Sequence, residues 1–194
     1  MTDLTLVRHG ETTWAKSGRH TSVTDLELTE TGRARALSLR ETVDPADFDL
    51  VLVSPRRRAR QTAELAGFTD YEVDDDLAEW FYGDFEGKTK EEIQAIVPGW
   101  TIWTTPIPGG ETADEVVARL SRVAARVRGS GARHAICFAH GHSLRVLALA
   151  WLGLPIRYGD LLDLGTASVS LLDDDETPLL RHWNMTRGPL FPAT

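Results

Sequence analysis

The sequence predicts an α/β fold: a three-layer α/β/α sandwich around a mostly parallel central sheet with an antiparallel edge strand. Three observations carry this reading. Three short apolar runs, Leu4 to Val7, Leu50 to Val53 and Ala135 to Phe138, each stop abruptly at polar residues. Helical patterns separate them, and strands alternating with helices imply parallel neighbours covered on both faces. Two later runs, Ser168 to Leu172 and Leu179 to Trp183, flank the acidic turn Asp173 to Glu176 and read as a closing hairpin.

The elements follow in order. After the first strand, Glu11 to Glu27 is too polar to be core and long enough to suspect function. Thr29 can cap a helix with Ala34, Ala36, Leu37 and Leu39 on or near one face. The second strand leads through Pro55 into a helix from about Arg56 to Ala66, and a weaker strand is expected at Tyr71 to Val73. Thr89-x-x-Glu92 and Thr112-x-x-Glu115 fit the capping box and open helices of roughly Thr89 to Val97 and Thr112 to Arg128. Between them, Pro98 to Gly110 reads as a loop, and the third buried strand precedes a helix from about Ser143 to Leu152. At 194 residues, without repeats or a low-complexity linker, the chain suits one domain over 1–194 with a small lid at about 80–112.

A net charge of −8 argues against nucleic acid or an anionic membrane as partner, since both need broad positive fields. It leaves room for a small anion only where positive charge is concentrated in a pocket. The start of the chain has no long apolar segment, and a cytoplasmic location is expected. Cys137 stands alone, so no intramolecular disulfide or cysteine-rich metal site is available, and the Asn184-Met185-Thr186 sequon reads as accidental. The oligomeric state is open, a homo-oligomer included.

In parallel sheets ligands bind beyond the carboxyl ends of the strands. Arg8 and His9, Arg58, and His140 all lie at or just past such ends. Two guanidiniums and two imidazoles suit a phosphoryl group, because guanidinium forks match phosphate oxygens and an unprotonated imidazole can attack phosphorus. His9, between an arginine and a glycine, is the candidate nucleophile. Cleaving an alkyl phosphate also needs a proton for the leaving oxygen. Glu79, in the aromatic stretch Ala78 to Gly83, is the candidate acid, with a surface glutamate as the alternative.

These residues stand in four ordered motifs: Leu6-Val7-Arg8-His9-Gly10-Glu11-Thr12, Ser54-Pro55-x-x-Arg58-Ala59-x-Gln61-Thr62-Ala63, Glu79-x-x-Tyr82-Gly83-x-x-Glu86-Gly87 and Ala139-His140-Gly141-His142. Together they resemble the histidine phosphatase superfamily, in its phosphoglycerate mutase-like branch, from Leu4 to about Leu154. The resemblance implies that His9 becomes phosphorylated, that Arg8, Arg58 and His140 surround the phosphate, and that Glu79 donates the proton, with no metal and no cofactor. Ser17 to Thr21, Glu79 to Asp84, Gly109 to Thr112 and Phe138 to Arg145 look most like phosphatases acting on sugar phosphates or on broad acid-phosphatase substrates. Two departures separate the chain from the mutases: Ala15 stands where they usually carry an asparagine, and Lys88 to Gly110 is shorter than their lid and lacks its paired arginines. The expected partner is a small phosphorylated metabolite, hydrolysed rather than isomerised. A phosphoglycerate mutase and a silent phosphoanion-binding module are the rival readings.

Expected substrate contacts are Thr12, Arg19, His20, Thr21, Tyr82, Gly141 and His142. Each has a plainer account. Thr12 is also an ordinary turn hydroxyl, Arg19 and His20 solvated loop residues, and His142 an exposed helix start. Arg56, Arg57 and Arg60 read as a solvated helix face, and Trp100 and Trp103 as loop aromatics packed on the core or walling the pocket. His140-x-His142 lacks the Asp, Glu or Cys companions of a metal site. Gly83 to Thr89 is one residue short of a phosphate-binding P-loop, Cys137 has Ser143 rather than arginine six residues on, and Ser143 lacks the glycines of a nucleophile elbow.

Overall fold

The computed structural model describes residues 2–174, 176–186 and 190. Its strands are β1 (Asp3–Arg8), β2 (Leu50–Val53), β3 (Glu72–Val73), β4 (His134–Ala139), β5 (Val169–Asp174) and β6 (Pro178–Met185). Its helices are α1 (Thr13–Lys16), α2 (Glu30–Ser38), α3 (Arg57–Leu65), α4 (Lys90–Ile96), α5 (Ala113–Gly129) and α6 (Gly141–Leu152). The sheet runs β3-β2-β4-β1-β5-β6, parallel across the first four strands and antiparallel at β5 and β6. The antiparallel edge is the expected hairpin, β5 and β6, and Asp175 of its turn lies outside the described residues.

Period-two alternation divides the core. Leu4, Leu6, Ala135, Cys137 and Ala139 pack on the side of α5 and α6, while Val7, Ile136, Phe138 and Val169 pack on the side of Ala59 and Ala63 from α3. Both capping boxes form, with Thr89 and Thr112 accepting from the backbone of Glu92 and Glu115 and each glutamate closing back on its threonine. Thr29 caps α2 as expected, but Leu37 is 49 % exposed, because α2 turns only Gly32 and Ala36 inward. The stretch between α4 and α5 has no regular structure, yet Trp100, Ile102, Trp103 and Ile107 are buried in the larger core cluster. Aromatic side chains bury large areas without regular backbone, which is how this loop is held down.

Three of the four parallel strands, β1, β2 and β4, carry His9, Ser54 and His140 to one edge of the sheet, where backbone bonds run from His9 to Ala139 and from Ser54 to Phe138. The turn after β1 is pressed against α2. A Cβ at Gly32 would sit 2.1 Å from the Glu11 carbonyl oxygen.

That contact sets the sign of a substitution. Alanine in a helix is ordinarily favoured over glycine by about 1 kcal/mol. Here overpacking opposes it, and Gly32→Ala is expected to destabilise by about 1–3 kcal/mol in urea unfolding. A more stable variant would show that the turn does not rest on α2.

Candidate active site

His9 is 5 % exposed at the end of β1. Its Nδ1 lies 2.7 Å from its neighbour's carbonyl, Gly10 O, so Nδ1 carries the proton and Nε2 keeps its lone pair. Burial first, then the charges of Arg58 and Arg8, push the imidazole well below its ordinary pKa against the opposing pull of the Gly10 carbonyl. The Gly10 amide donates to Thr62 Oγ1 at 3.0 Å, which ties the strand end to α3. The ring is thus held neutral and oriented, with one basic nitrogen on a cavity of about 170 Å³.

Arg58 enters from the first turn of α3 and is fully buried. Its Nη2 donates to Thr21 O at 3.0 Å and Ser22 O at 3.5 Å, its Nη1 to Thr24 O at 3.2 Å, and its Nε to His140 Nδ1 at 3.2 Å. His140 accepts there, so its Nε2–H donates to Ser54 Oγ at 2.6 Å. Both nitrogens of His140 are therefore committed to protein partners, 5.2 Å in ring separation from His9. Burial and the Arg58 charge keep this second imidazole neutral as well. Arg8 donates to Leu164 O, its Nε is buried without a partner among the described residues, and its guanidinium lies against Gly141, where a Cβ would come within 3.3 Å of it. Glycine at 141 is what permits that approach.

Glu79 is 8 % exposed and faces the N-terminus of α6. Its carboxylate accepts from the amides of Trp80 at 2.9 Å, His142 at 3.1 Å and Ser143 at 2.8 Å. A helix start supplies free amides suited to a carboxylate, and two of them, with the Trp80 amide, fix this one. Tyr82 reaches both Glu79 and His142, the latter at 2.6 Å from its hydroxyl to Nδ1. His142 and His20 stack, with ring centres 5.9 Å apart and nearly parallel planes, while His20 Nδ1 donates to Lys88 O at 2.8 Å. Trp103 and Trp100 flank this pair at 5.4 Å each, so both tryptophans are core residues that also back the site.

The cavity is lined by Arg8, His9, Thr21, Glu79, Tyr82, Gly141 and His142, along with His20 and Arg19. Arg19, expected to contact substrate, is spent elsewhere: Nη1 and Nη2 pair with Glu92 at 3.0 and 3.3 Å, and Nη1 also donates to Gly87 O. Thr12 is 1 % exposed and its hydroxyl caps α1, accepting from Ala15 N at 3.1 Å, so it serves the turn rather than the cavity. Thr21 uses its hydroxyl on Arg19 O and its carbonyl on Arg58.

Two residues, Glu86 and Arg56, carry more than the sequence signalled. Glu86 accepts from Ser22 N at 2.9 Å, Ser22 Oγ at 2.6 Å and Thr24 N at 3.0 Å, fixing the segment whose carbonyls hold Arg58. Its only sequence mark is its place in the Glu79-to-Gly87 motif. Arg145, which the sequence offers with Arg19, His20 and His142 as a position bearing on substrate choice, lines the same cavity from α6. Arg56, expected on a solvated helix face, is half-buried with Nε sealed from solvent, whereas Arg57 is exposed and pairs with Glu27. Among the described residues, no cluster of three or more His, Cys, Asp or Glu is placed to hold a metal ion, and no helix is long and apolar enough to cross a membrane.

Comparison with known proteins agrees with this geometry. The family model described as histidine phosphatase superfamily (branch 1) matches residues 4–186. An acid phosphatase of Mycobacterium tuberculosis is 40 % identical, over 87 % of this chain and 84 % of its own length. The sedoheptulose 1,7-bisphosphatase of Saccharomyces cerevisiae is 35 % identical, over 96 % of this chain and 82 % of its own length. A solved structure of an open reading frame product from M. tuberculosis superposes with a TM-score of 0.90 at 36 % identity, covering 95 % of this chain and 97 % of that one. With strand-end histidines, a buried arginine and a glutamate bonded to a helix start, all within the span of this family model, the chain belongs to the histidine phosphatase superfamily, branch 1.

Proposed function

We propose that the protein hydrolyses phosphomonoesters of small metabolites, sugar phosphates in particular, through a phosphohistidine on His9. The observation that carries this reading is the His9 tautomer: Nδ1–H is given to Gly10 O, which leaves a neutral Nε2 lone pair on the cavity. Nε2 attacks phosphorus, and the bond to the leaving oxygen breaks as protonated Glu79 hands that oxygen its proton. Water then attacks the phosphohistidine, Glu79 takes the water proton, and inorganic phosphate leaves with the His9 lone pair restored. Arg8 and Arg58 balance charge on the transferring group, and His140 acts by holding Arg58 Nε.

Hydrolysis is favoured over phosphoryl return by the cavity wall. Ala15 contributes only a methyl there, and the segment 80–112, which we take as the cover of the leaving-group side, brings Tyr82 to the wall and no arginine. The acid phosphatase and sedoheptulose bisphosphatase named above support the reaction and the sugar-phosphate class. The single buried cysteine suits the reducing interior of a cell, and we place the protein in the cytoplasm.

Three outcomes test the roles. His9→Ala should abolish phosphate release and phosphoenzyme trapping, whereas Glu79→Gln should slow alkyl phosphates far more than an activated aryl phosphate. Equal losses on both esters would remove Glu79 from the acid role. Glu86→Gln, by contrast, should lower kcat/KM on both ester types alike by about tenfold, the equivalent of about 1.4 kcal/mol, because it disturbs the Arg58 grip and not the leaving oxygen.

The acid limb of kcat/KM should lie below pH 6.5, since burial and two guanidiniums disfavour the His9 imidazolium in the free enzyme. Removing one cation eases protonation, so Arg8→Met should move that limb to higher pH. A limb that stays fixed or moves down would contradict the electrostatic account.

A further inference from the structure

Glu79 sits in backbone that no regular element holds. Residues 78–82 run without helix or strand between two single 3-10 turns, Asp75–Leu77 and Gly83–Phe85. The amides at the start of α6 fix the carboxylate, but they do not fix the chain that carries it. A carboxyl that must meet a leaving oxygen needs its backbone held as well as its tip.

One arginine of α5 supplies that hold. Arg119 Nη1 donates to Asp76 O at 2.6 Å and, just before Glu79, to Ala78 O at 2.8 Å. Its Nε and Nη2 take the two carboxylate oxygens of Glu111 at 2.6 and 2.9 Å. Glu111 in turn binds the residues just after Glu79: Oε2 accepts from Phe81 N at 3.2 Å, its carbonyl accepts from Trp80 Nε1 at 2.8 Å, and its amide donates to Phe81 O at 2.9 Å. The pair thus grips the chain on both sides of Glu79, and neither member lines the catalytic cavity.

This pair differs from its neighbours on the same helix. Arg122 and Arg126 reach the same stretch of chain only at the carboxylates of Asp76, Asp74 and Glu72, and Arg122 is 63 % exposed. Surface ion pairs of that kind contribute little. Arg119 and Glu111 are 11 % and 16 % exposed, and a nearly buried pair offsets its desolvation only with good geometry and well-used donors. The two-pronged fork on Glu111 and the bonds to two carbonyls meet that condition. Five buried residues, Val116, Leu120, Val123, Ala124 and Val127, anchor α5, which packs on α6. The Glu79 carboxylate is therefore held from α6 and its backbone from α5, two helices in mutual contact.

We propose that Arg119, with Glu111, is a positioning residue that keeps the Glu79 carboxyl aimed at the leaving oxygen, so that its loss slows proton transfer rather than phosphate binding. The assignment rests on the acid role proposed for Glu79 above. A lysine at this position keeps a charge for Glu111 but not the planar fork that spans carboxylate and carbonyls.

The test is steady-state hydrolysis of two alkyl esters, glycerol 2-phosphate and fructose 1,6-bisphosphate, against the activated aryl ester p-nitrophenyl phosphate. The variants are Arg119→Lys, the charge-neutral double substitution Arg119→Met with Glu111→Gln, Glu79→Gln, Arg119→Lys combined with Glu79→Gln, and Arg122→Met as the surface control. Arg119→Lys and the double substitution should each lower kcat on an alkyl ester by about tenfold or more, while KM and the aryl rate stay within about threefold of wild type. Arg122→Met should match wild type. In the Glu79→Gln background Arg119→Lys should add no further loss, because both act through one carboxyl. Equal losses on both ester types, a loss that adds in full to that of Glu79→Gln, the same loss in Arg122→Met, or unchanged rates would each overturn the positioning role and leave the acid role standing. If Glu79→Gln itself fails to separate the two ester types, the acid role falls and the positioning role with it.

Discussion

A fully buried arginine without a carboxylate in hydrogen-bond contact governs this structure. Taking a guanidinium out of water is costly unless its donors are met, and Arg58 meets them with carbonyls of Thr21, Ser22 and Thr24 and with the lone pair of His140. Those carbonyls belong to an irregular segment that no strand or helix would orient. Glu86 does so instead, gathering the amides of Ser22 and Thr24 and the Ser22 hydroxyl. Half-buried as it is, its carboxyl is still held below the ordinary range, since those donors outweigh the burial that works against them. The motif that carries Glu79 and Tyr82 thus also supports, seven residues on, the cation at the other side of the site.

The same cation fixes the protonation of its neighbours. Accepting from Arg58 Nε forces His140 into the Nε2–H form, which Ser54 then receives. Its charge, added to burial and to Arg8, keeps His9 neutral. A neutral imidazole is a nucleophile and an imidazolium is not, so positive charge beside the ring serves attack as well as binding. Glu79 and Asp25 act on this cation only through space, and no carboxylate among the described residues is bonded to it. Stability and chemistry meet in one residue for that reason.

The fold was legible because its signals are local. Three apolar runs, two capping boxes and a helix cap at Thr29 each declare themselves within a few residues, and the strand-end rule then places Arg8, His9, Arg58 and His140 together. What stayed hidden depends on partners far along the chain. Arg19 looked free until Glu92 was folded beside it, and Arg56 looked solvated until its Nε was sealed in. Trp100 and Trp103 sit in a segment with no periodicity to mark them as core. Glu86 could be seen as part of a motif but not as an anchor, because its bonds reach across 62 to 64 positions.

Arg19 and Arg145 show how such a difference bears on specificity. Both are arginines on the cavity wall, and only their second neighbours distinguish them. Arg19 lies in a short ladder with Gly87 to Thr89, where Glu92 of α4 takes its fork in two bonds. Arg145 rides on α6, the helix whose start holds Glu79, so its position is tied rigidly to that carboxylate. A group meant to bind the far end of a substrate must keep a fixed distance from the reacting end. A helix shared by both supplies that distance, and a loop arginine paired to a surface carboxylate does not. The two arginines that the sequence offers for substrate choice therefore differ in rigidity of placement relative to Glu79 rather than in charge.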